Sequence, residues 1–180
     1  MKHKYLLFLM KYFSKYIPED VLDKELRSSQ NLLQDVAGCE VLESDPSRVL
    51  PFDKYIFSSN EDYVSEHIKQ AKSYFLFVEY GAGTYLGGDY SSPFRVDMAI
   101  TVGLPFPTKK TTMLSEAEID SACLDLLLRV LDGIKADIYS LEACNMDTLF
   151  KFPCRIVKIQ PSAFFNCVGF TAFFDAQDYE

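Results

Sequence analysis

Two stretches decide the fold: Tyr74-Phe75-Leu76-Phe77-Val78-Glu79-Tyr80 and Phe94-Arg95-Val96-Asp97-Met98-Ala99-Ile100-Thr101-Val102. The first is almost wholly β-favouring, and the second alternates with period two. Phe94, Val96, Met98, Ile100 and Val102 share one face, and Arg95, Asp97, Ala99 and Thr101 share the other. That pattern is a half-buried strand. Gly81, Gly83, Gly87 and Gly88 lie between the stretches, and Ser91-Ser92-Pro93 closes the segment. The whole reads as an antiparallel hairpin with a long glycine-rich loop at 81–93.

Working outward, Ser115 and Glu118 form a capping box that opens a helix over 115–134. Ile119, Cys123, Leu126, Leu127, Val130, Leu131 and Ile134 follow at core spacing, and Gly133 marks the end. Residues 154–160 and 167–174 read as a closing strand pair, with Val168, Phe170, Ala172 and Phe174 on one face. A further strand is expected near 137–141. On the other side, Asn60 caps a helix to about 72, with Val64, Ile68 and Ala71 facing inward, and Tyr55-Ile56-Phe57 is a short strand. Asp45-Pro46-Ser47 marks a turn. Pro18-Glu19-Asp20 starts a helix to about 37, and a basic, aromatic helix covers about 4–16. The expected fold is α+β: a mostly antiparallel sheet of four to five strands, with helices packed on one face and an N-terminal helical extension. The extension is 1–40 and the α+β domain 41–180.

The composition of the 180 residues is that of an ordinary folded chain, with 48% hydrophobic and 24% charged residues. A formal charge of −8 argues against a general duplex-DNA binder, whose affinity needs a basic surface. The charge is uneven, since residues 1–16 carry four lysines and no acid. No apolar run is long enough for a membrane-spanning helix. The five cysteines are scattered without a Cys-x-x-Cys pair, and His3 and His67 are the only histidines, so zinc-site spacings are absent. Cys123, Cys154 and Cys167 fit small buried hydrophobes in reduced form.

Tests for chemistry return little. The glycine loop follows a strand but leads into another strand, without the helix N-terminus or the Gly-Lys-Ser/Thr that phosphate cradles need. Glu79, Asp89 and Asp97 could gather around the hairpin as a metal-dependent nuclease would require. Strand carboxylates facing solvent explain the first and last of these more simply. No Gly-x-Ser-x-Gly elbow or Cys–His spacing suggests a nucleophile. No catalytic residue, metal site or cofactor is expected. Aromatics suggest contact instead: Tyr5, Phe8 and Tyr12 on the first helix, and Tyr85, Tyr90 and Phe94 around the hairpin loop, are the candidate partner-facing residues. Lys109 and Lys110 form a small basic point in a Pro-rich loop.

The strand Phe75–Tyr80 ending Val-Glu-Tyr-Gly resembles an element of the tail-terminator and head–tail connector (neck ring) proteins of tailed bacteriophages. So do the alternating strand Phe94–Val102, the helix 115–134 and the final pair Ile156–Ile159 and Val168–Phe174. The closing Ile159-Gln160-Pro161-Ser162-Ala163-Phe164-Phe165-Asn166 and Gly169-to-Phe174 look like that family's C-terminal strands. The resemblance covers about 70–180. It implies a non-enzymatic virion subunit that closes into a homo-oligomeric ring with portal, neck or tail proteins as neighbours. DNA would pass the lumen, with Lys109 and Lys110 as its possible contacts, and no sequence-specific DNA binding or membrane partner is implied. Two other readings stand beside it: a cytoplasmic binding or regulatory module using loop 81–93, and the nuclease.

Overall fold

The computed structural model describes residues 5–26, 45–85, 94–106, 113–140, 150 and 152–174. Helices α1 (Tyr5–Ser14) and α2 (Glu19–Leu26) lead, by way of a 3-10 turn at Pro46–Arg48, to strand β1 (Lys54–Phe57). Helix α3 (Glu61–Gln70), strands β2 (Phe75–Tyr85) and β3 (Phe94–Pro105) and helix α4 (Met113–Ser140) follow. Strands β4 (Arg155–Ile159) and β5 (Cys167–Phe174) complete the order. The five strands form one sheet in the order β1-β2-β3-β5-β4. Only β1 and β2 run parallel, joined across α3 as a β-α-β unit, and the other neighbours are antiparallel. The expected α+β class with a mostly antiparallel sheet is the fold observed.

The alternation of β2 sends its side chains to two different cores. Leu76 and Val78 face the larger one, with Met98, Ile100 and Val102 of β3, Ala172 and Phe174 of β5, and the stripe Cys123, Leu127, Val130 and Ile134 of α4. Phe75 and Phe77 face the smaller one, with Ile56 of β1, Val64 and Ile68 of α3, and Cys167. Helix α3 therefore lies across the sheet from α1 and α4, where the sequence reading places every helix on one face. The reason is tertiary. Val64 and Ile68 need an apolar surface, and β1–β2 offers one on the side that α4 does not cover.

Helix α1 is built into the larger core rather than appended to it. Leu9, Tyr12, Phe13, Tyr16 and Ile17 are all buried there. Burying side chains of this size contributes about 1.5–3 kcal/mol each. The Tyr55 hydroxyl on β1 also donates to the Met10 carbonyl at 2.7 Å. The boundary drawn near residue 40 thus does not separate two packing units. Helix α2 matches the start of the helix expected over 18–37, and the rest of that span lies outside the described residues.

Helix α4 corrects three expectations. It begins at Met113, so Ser115 sits within the first turn rather than at the cap. It continues through Ser140, which removes the strand expected near 137–141. Gly133 does not end it, because its missing side chain serves packing. A Cβ there would lie 2.6 Å from the Tyr16 hydroxyl. The glycine lets Tyr16, in the turn after α1, seat against the α4 backbone.

The turn into β5 uses left-handed backbone at Phe165 (φ 43°) and Asn166 (φ 60°). Gly169, at φ 151°, then passes so close to β3 that an added Cβ would sit 2.1 Å from the Val102 carbonyl oxygen.

Candidate functional site: a projecting hairpin ribbon and an open sheet edge

Strands β2 and β3 outrun their neighbours. β1 ends opposite Val78, and β5 ends opposite Met98. Beyond those points β2 and β3 pair only with each other, from Gly83–Val96 to Tyr85–Phe94. Between Tyr80 and Gly83 the register shifts, so that Gly81 and Ala82 oppose Asp97 alone. Such a bulge bends the strand and increases its twist. The glycine at 81 suits this position. Among the described residues, then, a two-stranded ribbon leaves the sheet with no strand on either side. An isolated two-stranded hairpin is marginally stable in water. A ribbon of this kind gains most when something else covers it.

The lateral edge of the sheet at β4 is also open among the described residues. β4 pairs only with β5, and Arg155, Ile156, Val157 and Lys158 are all exposed. Ile156 and Val157 keep 37% and 39% of their surface while pointing to opposite faces of the sheet. An edge strand presents unpaired N–H and C=O groups to any chain that can align with it. Its two cations are tied back to the subunit. Lys158 reaches Asp120 at 2.5 Å and Glu116 at 3.7 Å on α4, and the Asp120 hydrogen bond raises its pKa. The Arg155 guanidinium lies 5.2 Å from the Phe173 ring.

The candidate partner-facing residues separate on inspection. Tyr12 is fully buried in its own chain and hydrogen-bonded there, so it serves the core. Its ring supplies volume between Phe13 and Phe150, at 5.1 and 5.9 Å between centroids. Phe8 is half-buried and stacks on Tyr12 at 6.3 Å. Tyr5 lies in α1. Tyr85 ends β2 and Phe94 begins β3, opposite each other in the outermost ribbon pair. Tyr90, Asp89, Lys109 and Lys110 lie outside the described residues. Glu79 and Asp97 are exposed on adjacent strands, and Glu79 faces Ala99 across the ladder. Among the described residues no group of three His, Cys, Asp or Glu is placed to hold a metal ion, and no helix is long and apolar enough to cross a membrane.

One constellation escaped the sequence reading. Asp137, near the end of α4, is 4% exposed, and three groups converge on it. The Tyr12 hydroxyl donates to its Oδ2 at 2.6 Å, Lys15 Nζ donates to the same oxygen, and Arg48 Nη1 reaches Oδ1 at 2.5 Å. Asp45 accepts from the Ser47 N–H at 2.9 Å, capping the turn that carries Arg48. Burial alone would push the Asp137 carboxyl up, but hydrogen bonds from Lys15, Tyr12 and Arg48 outweigh it and hold the group below its usual range. Burial brings Lys15 down to about 8 against the pull of Asp137. Both groups are therefore charged at neutral pH. Burial raises the Tyr12 and Tyr16 hydroxyls far above neutrality, so both stay protonated. The signal was present in the sequence. Continuing the α4 period past Gly133 puts Asp137 one turn after Ile134 on the buried stripe, and Lys15 follows Tyr12 by three residues in the basic stretch that carries α1.

Compared with protein-family models, curated proteins and solved structures, the chain matches none.

Proposed function

We propose that this chain is a non-enzymatic structural subunit of a tailed-bacteriophage virion. It assembles with copies of itself into a closed connector or tail-terminator ring on the head–tail axis. The observation that carries the reading is the β2–β3 ribbon, which extends beyond both flanking strands and has no covering strand among the described residues. The β4 edge, open among the described residues, supports it as a second and different surface of the same sheet. A subunit with two unlike contact surfaces can make a heterologous contact, and such contacts close into rings when the rotation permits. Portal, neck or tail proteins are then the neighbours above and below. The net charge of −8 suits a channel that passes DNA without holding its phosphates.

Shortening the ribbon tests this reading. Replacing residues 82–95 with a two-residue Asn-Gly turn removes pairs that no other strand shares among the described residues, so the sheet remains. The shortened chain is expected to keep its circular dichroism spectrum and a denaturation midpoint near that of the parent. In sedimentation velocity it should lose the high-mass species that the parent forms. A shortened chain that still forms that species would remove the ribbon from assembly.

A further inference from the structure

We draw no further inference here: the strongest candidate, the open β4 edge with Ile156 and Val157 exposed on opposite faces of the sheet, belongs to the site already described, and nothing in the structure shows which chain covers it.

Discussion

Asp137→Ala should destabilise the protein by about 3–5 kcal/mol, the range seen when one partner of a buried ion pair is removed. The carboxylate is the shared acceptor for Tyr12, Lys15 and Arg48. Without it the Lys15 ammonium, whose side chain is 2% exposed, stays in the core beside the Tyr12 and Tyr16 rings without its hydrogen-bonded counter-ion. Arg48 is 29% exposed in its side chain and can turn to water, so Lys15 carries most of the loss. Urea denaturation measures the effect. The double variant Lys15→Met with Asp137→Leu should recover much of it, because replacing both ions with apolar groups removes the stranded charge. A double variant as unstable as Asp137→Ala would mean that lost packing, rather than an uncompensated charge, sets the loss. The pair also has a pH signature. The folded pKa of Lys15 is depressed from 10.5 to about 8, so between those values the unfolded chain holds a proton that the folded one has released. Stability therefore gains from Lys15 as pH rises through that window. Burial raises Cys123 and Cys167 to about 12, which acts in the opposite sense above the ordinary thiol value. The difference between wild type and Lys15→Met, followed from pH 8 upward, isolates the lysine.

Gly169→Ala is the second large effect. At φ 151° an L side chain is strained in any surroundings, and here the new Cβ would meet the Val102 carbonyl oxygen at 2.1 Å and the Gly103 Cα at 2.7 Å. Both obstacles are backbone, so no rotamer relieves them. The β3–β5 ladder must separate locally, where Val102 pairs with Phe170 and Gly103 with Gly169. A loss of about 2–4 kcal/mol is expected from strain and disrupted pairing together. An unfolding free energy within about 0.5 kcal/mol of wild type, the range of ordinary surface changes, would show that β5 can move away from β3 at little cost.

The sheet was legible wherever one pattern determined the outcome. Phe94–Val102 alternates and the structure pairs it as a β-strand on both sides, but the half-buried reading is corrected: Met98, Ile100 and Val102 join the larger core, and Ala99 and Thr101 on the other face are buried as well. The β2–β3 hairpin followed from the same reading. The errors came from residues whose role is set by a distant partner. Gly133 carries the sequence signature of a helix stop, but Tyr16, far away in the chain, needs the space that a side chain would fill. Ending the helix there hid Asp137, which then could not be connected with Lys15. Tyr12 looked like a contact residue because an aromatic on a basic helix has no visible partner in its own segment. Its partners are Asp137 and Phe150. The placement of α3 also depended on a tertiary fact, namely which face of β1–β2 the longer helix α4 leaves open. Of the candidate site, the hairpin loop was visible from its glycines. The ribbon was not, because its isolation depends on where β1 and β5 stop.

The most direct measurement is negative-stain electron microscopy of the tagged full chain purified with its bound neighbours from its native source. Closed rings, or particles carrying the tag at a single neck or tail position, are the expected result. Small soluble complexes with neither rings nor virions would contradict the assembly reading.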